Sequence, residues 1–170
     1  MREIIKKLFI KSIQLGDIQY SDIEINNEWI GNPPAFKDDI LKTEKRLGII
    51  FPKDYKELLS ITNGFKPSNY STEPTFNKIE EIDYLKNINP DIIKAYSEIK
   101  EIQNDLKRSI LIAGKGEVQQ FLLIPPNQKN EKWKYWMFAH WIPGEESYEN
   151  LSHYLSDTIE SIENNIEEED

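Results

Sequence analysis

The stretch FPKDYKELLSITNGF, residues 51–65, carries the strongest structural signal in the sequence. Pro52 fits the first turn of a helix, because the N–H that proline lacks would have no partner there. Four residues at the spacing i, i+3, i+4 and i+7 predict one apolar helix face: Tyr55, Leu58, Leu59 and Thr62. Asn63-Gly64 is expected to end the helix in a left-handed conformation, which also predicts that Gly64→Val is harmful.

Two further helices are predicted upstream of this stretch. Residues 4–13 carry apolar side chains at helical spacing, and Gly16 stands where a C-cap is expected. Residues 36–47 show the same periodicity and are closed by Gly48. Residues 17–35 alternate only weakly and end in Asn32-Pro33-Pro34, which is a loop signal.

The middle of the chain is predicted to be mostly irregular. Residues 66–78 are rich in Pro, Ser, Thr and Asn and are predicted to form a surface loop. Residues 78–85 are expected to form a short strand, and residues 90–97 a short helix that begins after Asn89. The polar residues that continue to Arg108 are predicted to be a connection.

The second half of the chain changes to strand periodicity. Three strand-like runs are separated by short connections: residues 110–113, 118–124 and 133–142. Gly114-Lys115-Gly116 is expected to form the first turn. Because sequential strands with short connections pair side by side, these runs predict an antiparallel meander.

Helical periodicity returns at the end of the chain. Six apolar residues fall on one side of a helical wheel: Leu151, Tyr154, Leu155, Ile159, Ile162 and Ile166. Asp157, Glu160, Glu163 and Glu167 fall on the opposite face. Residues 167–170 are interpreted as a plain acidic tail.

These patterns together predict one α+β domain over residues 1–170. Its antiparallel sheet is expected to contain about four to six strands. Helices from both ends of the chain are expected to pack on this sheet. Nine residues form the predicted core: Tyr55, Leu58, Leu59, Leu111, Phe121, Leu123, Leu155, Ile159 and Ile162.

The net charge of the chain, formally −9, is concentrated at its C-terminus. Residues 1–142 hold 21 basic and 20 acidic side chains, whereas residues 143–170 hold ten carboxylates and no Lys or Arg. Such a surface repels nucleic acid and anionic membranes and attracts basic partners. The alternative interpretation is a solvated helix face with an acidic tail, which serves solubility alone.

Residue patterns typical of enzymes do not emerge from the sequence. The chain has no cysteine, and His140 and His153 belong to no metal-binding motif. Gly114-Lys115-Gly116 lacks the spacing of a phosphate-binding loop and precedes a strand. We therefore expect a protein that is not an enzyme and that has no catalytic residues, no cofactor and no metal site.

The sequence also argues against membrane and nucleic-acid partners. No run approaches the ~20 apolar residues that span a bilayer, and the basic N-terminus lacks the features of a signal peptide. Lys129, Lys132 and Lys134 alternate with aromatic residues, a pattern that can stack single-stranded nucleic acid. We interpret this run instead as a sheet core with solvated lysines, and the protein as soluble and cytoplasmic.

One pattern resembles the signature of the SUKH superfamily: Glu44-x-x-Leu47-Gly48…Phe51-Pro52-x-x-Tyr55-x-x-Leu58-Leu59…Thr62-Asn63-Gly64. That superfamily is named for a yeast regulator of cell-wall synthesis and its relatives, and is abundant among bacterial immunity proteins. Phe51 stands where the family usually has Leu, and Phe65 where a second Gly often follows. With the later strands and the last helix, the resemblance covers roughly residues 36–162.

The resemblance implies an immunity protein, an antitoxin that binds and neutralises a cognate polymorphic toxin, commonly a nuclease. A nuclease needs a basic surface for phosphate, and an acidic inhibitor can occupy that surface. The expected partner is therefore a basic toxin domain. The candidate partner-binding residues are two carboxylates of a turn, three of the last helix, and two aromatic anchors that require exposure: Glu145, Glu146, Asp157, Glu160, Glu163, Trp136 and Trp141.

Two other functions stay open on the sequence alone. One is a general protein–protein adaptor, a role that some eukaryotic SUKH relatives resemble in function. The other is an enzyme or small-ligand binder whose aromatic strand lines a pocket. Strong salt dependence of binding to a basic protein favours the antitoxin over the adaptor, whereas a deep pocket that joins a histidine to a carboxylate favours the enzyme.

Overall fold

A computed structural model of the protein describes residues 1–68, 73–128, 130–139 and 145–169. Eight helices lie within these ranges: α1 (Arg2–Leu15), α2 (Asp22–Asn27), α3 (Lys37–Leu47), α4 (Lys53–Leu59), α5 (Leu85–Ile88), α6 (Pro90–Ala95), α7 (Lys100–Arg108) and α8 (Leu151–Glu169). Five strands accompany them: β1 (Asp83–Tyr84), β2 (Ile110–Ala113), β3 (Gln119–Ile124), β4 (Lys134–Ala139) and β5 (Glu145–Tyr148).

The sheet is an antiparallel meander in the order β1-β2-β3-β4-β5. Every neighbouring pair is antiparallel, as the predicted α+β fold requires. The meander arises because each strand is joined to the next by a connection too short to cross the sheet, except between β1 and β2, where α5, α6 and α7 intervene. The predicted fold class is confirmed.

Alternate residues of the strands enter two separate cores, because side chains of a strand point to opposite faces. On one face, Leu123 and Tyr135 pack with apolar residues of α1, α3, α4 and α8. On the other face, Leu122 and Trp136 pack with α5, α6 and α7. Helices from both ends of the chain therefore cover the first face, and α1 lies against α8.

All nine predicted core residues are buried. Tyr55, Leu58 and Leu59 lie on the inner face of α4, as their spacing predicted. Leu111 is also buried, but it belongs to the second cluster, on the opposite side of the sheet from Phe121.

Local sequence patterns did not predict α2 and α7, nor the short helix α5. Residues 22–27 form α2, which begins at a capping box in which the Ser21 side chain and the Glu24 side chain each bond the other residue's backbone N–H. The predicted connection before Arg108 contains α7, whose amphipathic face places Leu106 in the second core. At α2 and α7, polar composition concealed the helix.

Element boundaries differ from the predictions at several other places. Helix α4 ends at Leu59, before Asn63-Gly64. The predicted strand over residues 78–85 is reduced to β1, which follows a short 3₁₀ turn. Helix α8 continues to Glu169, so most of the predicted acidic tail is helical.

The predicted surface loop over residues 66–78 contributes to the core at the positions described. Phe76 is buried and stacks on Phe65 with ring centroids 4.6 Å apart. Isolated β-bridges join Phe76 to Phe65 on one side and to Ala113 of β2 on the other. The polar composition of this segment predicts an exposed loop and does not reveal that the ring of Phe76 anchors it in the core.

Candidate partner-binding surface

The polar residues of the α4 stretch hold neighbouring elements together. Asp54 accepts a hydrogen bond from the Tyr135 hydroxyl at 2.8 Å through Oδ1, and one from the Leu151 N–H at 3.0 Å through Oδ2. Because Leu151 is the first residue of α8, the Asp54 carboxylate satisfies a backbone donor that a helix N-terminus leaves free. Asp54 thus caps the start of α8 together with Asn150, whose side chain accepts the His153 N–H at 2.9 Å. Sequence reasoning missed this role of Asp54.

The side chains of Glu44 and Asn63 also bind other parts of the same chain. Glu44 is buried, accepts the Phe51 N–H at 2.8 Å, and pairs with Lys56 at 3.3 Å. The Asn63 side chain accepts the Ile79 N–H at 2.7 Å. The motif that carries the family resemblance therefore builds the fold. Its Glu44 and Asn63 side chains are occupied within the chain, whereas the buried Tyr55 hydroxyl has no hydrogen-bond partner among the described residues.

The three predicted carboxylates of α8 are exposed or partly exposed, but they are not equivalent. Glu163 accepts a hydrogen bond from Lys7 and lies 3.3 Å from Lys11, both on α1. These lysines, Lys7 first, lower the pKa of Glu163. The Asp157 Oδ2 lies 3.5 Å from Nε2 of His153, which stands one helical turn earlier in α8. Glu160 is exposed and has no ion pair among the described residues.

The structure corrects the setting of Glu145 and Glu146. Both residues lie in β5 rather than in a turn, since residues 145–148 pair in register with residues 135–138 of β4. The side chain of Glu146 is exposed, whereas that of Glu145 lies outside the described part of the chain. Strand β5 is the last strand of the sheet order, so Glu146 stands on an edge of the sheet.

The aromatic anchors do not join this surface in the described structure. Trp136 is only 4% exposed and packs in the second core, so it does not meet the condition of exposure set for an anchor. Trp141 and His140 lie outside the described residues. The candidate surface therefore consists of Glu146, Asp157 and Glu160, with Glu163 at its border with α1.

A buried carboxylate lies behind this surface. Glu73 is 8% exposed and accepts hydrogen bonds from the Tyr154 hydroxyl at 2.5 Å and from the Thr158 hydroxyl at 3.2 Å. Burial raises its pKa to about 7; the two hydrogen bonds act in the opposite direction, and the nearby charge of Glu146 adds to the rise. Glu73 ties the loop before Phe76 to α8, and its place in a polar stretch of sequence gave no signal of this.

Glu73→Gln is expected to make the protein more stable than wild type at pH 8 and to remove part of its pH dependence. Burial penalises the charged form, so the folded state favours the protonated carboxyl. The stability from this preference is fully present below the ordinary pKa of 4.5 and is lost as the pH rises through about 7. The loss amounts to about 3 kcal/mol in the free energy of unfolding.

Urea denaturation of wild type and Glu73→Gln at pH 5 and pH 8 measures this effect. The matched control is Glu160→Gln, which removes the same charge from an exposed position of α8. We expect the gain at pH 8 in the buried variant alone. Equal pH dependence in wild type and Glu73→Gln would show that the carboxyl of Glu73 titrates normally in the folded protein.

The described residues contain no group of His, Cys, Asp and Glu side chains arranged to hold a metal ion. None of the described helices is long and apolar enough to cross a membrane. The geometry is that of an α+β scaffold whose motif residues are structural and whose exposed edge strand and last helix carry carboxylates.

The chain belongs to the SMI1 / KNR4 family (SUKH-1), whose model it matches over residues 34–161. The match spans more than half of the chain and includes α3 and α4 with the predicted signature. It also includes the whole sheet and the first half of α8. A comparison with curated proteins finds no match.

Proposed function

We propose that this protein is an immunity protein that binds a basic toxin domain, a nuclease, and neutralises it by protein–protein contact without catalysis of its own. Membership of the SUKH-1 family supports an interaction role. The observation that carries the proposal is the exposed acidic surface of β5 and α8. The partner is expected to present the basic surface with which a nuclease binds phosphate.

The negative charge of this surface comes from a segment of the sequence that contains no basic residue to neutralise it. From Glu145 to Asp170 the sequence contains no Lys or Arg. Among the described carboxylates of this segment, Lys7 and Lys11 of α1 pair with Glu163 alone, at the border of the surface. The fields of Glu146 and Glu160 therefore extend into solvent, where they accelerate encounter with a cation-rich surface.

Reversing Glu146 and Glu160 to Lys is expected to slow association with the toxin domain about tenfold at low salt. The partner to test is the nuclease domain of a secreted toxin, sought first among the products of the genes beside that of this chain. Stopped-flow association rates at about 20 mM and 500 mM salt measure the effect, and the difference between wild type and variant should shrink at high salt. Glu163 is left unchanged, because its reversal would set a third cation beside Lys7 and Lys11.

The matched control reverses Glu98 and Glu101 to Lys. Both residues are exposed, and they lie at α7 on the other side of the sheet, so the net charge changes by the same amount. Slow association in the surface variant alone supports the proposed site. Equal rates in all three proteins would place the partner site elsewhere, and absence of binding by wild type would reject the immunity function.

A further inference from the structure

The outer edge of β5, which lies within the proposed partner surface, pairs with no other strand among the described residues. Strand β5 pairs with β4 on one side, and the sheet order ends there. An edge strand presents a row of free N–H and C=O groups to any extended chain that approaches it. Glu146 and Ser147 on this strand are exposed.

We propose that β5 is the docking strand of this protein, on which an extended, lysine- or arginine-containing segment of the toxin domain adds a sixth antiparallel or parallel strand. This inference rests on the proposed function and specifies how the same surface is used. In such strand addition, main-chain hydrogen bonds supply affinity, while neighbouring pockets select side chains.

The strand is held in place before any partner binds. The Tyr148 ring packs against the Tyr154 ring of α8 at 5.1 Å between centroids, and against the Phe121 ring of β3 at 6.0 Å. Residues 145–148 keep an unbroken register with β4. A partner strand would therefore lose its own freedom on binding, but it would not need to order β5 first.

A cleft at the end of β5 offers a place for one partner side chain. It has a volume of about 550 Å³ and is lined by residues that flank the β4–β5 pair, among them Trp133, Tyr148, Glu149 and Asn150. Lys134, which also lines it, is engaged by the buried carboxylate of Asp105 at 2.6 Å. The exposed Glu149 carboxylate gives the cleft an acceptor for a basic side chain, and the exposed Lys132 on the same lining opposes it.

Charge decides between a foreign strand and a second copy of this chain. Pairing two β5 strands edge to edge would bring two copies of Glu146 and Glu149 together, and like charges across a strand pair are destabilising. A strand with Lys or Arg would instead place opposite charges beside these carboxylates, which stabilises a strand pair. The occupant expected on this edge is thus the basic partner and not a symmetric dimer.

Glu146→Pro and Ser147→Pro test the docking strand. In an antiparallel pair, successive residues alternate between those that bond the partner strand and those whose N–H and C=O point away from it. One of these prolines therefore removes a bond to β4 and lowers the melting temperature, and the other removes an outward N–H and leaves melting nearly unchanged. The variant whose proline replaces the outward N–H is expected to bind the same toxin domain about tenfold or more weakly. This proline deletes a hydrogen-bond donor and blocks the close approach of a partner strand.

Glu146→Ala and Ser147→Ala are the matched controls, since they change the same side chains and keep the backbone N–H. Hydrogen exchange of wild type in the complex provides the second measurement, and the outward amides of residues 145–148 should gain about tenfold protection. If wild type binds but the outward proline binds equally well and no amide gains protection, the docking strand is wrong and the immunity function stands. If wild type does not bind, or β5 instead pairs with a second copy in light scattering and exchange, the inference is overturned.

Discussion

Leu58→Ala is expected to lower the free energy of unfolding by about 2–5 kcal/mol. Leu58 is 2% exposed and lies on the inner face of α4, in the core between this helix and the sheet. Removing its three outer carbons loses buried apolar surface and leaves a cavity that a well-packed core fills only partly. Urea denaturation at pH 7 measures the loss, and Leu59→Ala is expected to behave alike.

Leu41→Ala is the control for this prediction. Leu41 has the same side chain on the neighbouring helix α3, but half of it is exposed. Its replacement is expected to change stability by about 0.5 kcal/mol or less. A neutral Leu58→Ala, or equal effects of the two substitutions, would contradict the packing of α4 described above.

Gly64→Val is expected to cost at least about 3 kcal/mol, the sum of a backbone and a steric penalty. Gly64 has φ 86°, a conformation that side-chain-bearing residues rarely adopt. A Cβ at this position would also lie 2.7 Å from the carbonyl oxygen of Phe76, which is backbone and cannot swing aside. Since Phe76 is buried between Phe65 and β2, the displacement would spread into the core.

Gly48→Val separates the two penalties. Gly48 has φ 68° at the end of α3, but no atom lies within 4 Å of the position that a Cβ would take. Gly48→Val is therefore expected to lower the free energy of unfolding by the backbone penalty alone, about 1–2 kcal/mol. Thermal or urea melts of both variants measure the difference, and equal losses would mean that the approach of Phe76 to Gly64 carries no energetic weight.

The structural motif and the proposed partner surface are linked through α4. Asp54, within residues 51–65, bonds the first N–H of α8 and the Tyr135 hydroxyl of β4. The same helix therefore organises the core and positions the helix that bears Asp157 and Glu160. This explains how a signature without catalytic groups is compatible with function at another surface.

The elements with regular apolar spacing are predictable from the amino-acid sequence alone. Helices α1, α3 and α4, the middle strands and α8 follow from periodicity, because a single buried face selects either a period of 3.6 or a period of 2. The family signature and the concentration of carboxylates after residue 143 are likewise properties of the chain alone. These features gave the fold class and the nine buried core residues.

The exposure of individual polar and aromatic residues depends instead on how the helices and strands pack. Trp136 and Glu146 lie on adjacent strands, yet the former is buried under α5–α7 and the latter stands on the sheet edge. Asp54, Glu73 and Glu163 are ordinary carboxylates in sequence, but each acquires partners far along the chain. The physical reason is that hydrogen bonds and ion pairs across elements depend on how helices and strands pack, and local periodicity carries no record of those long-range pairings.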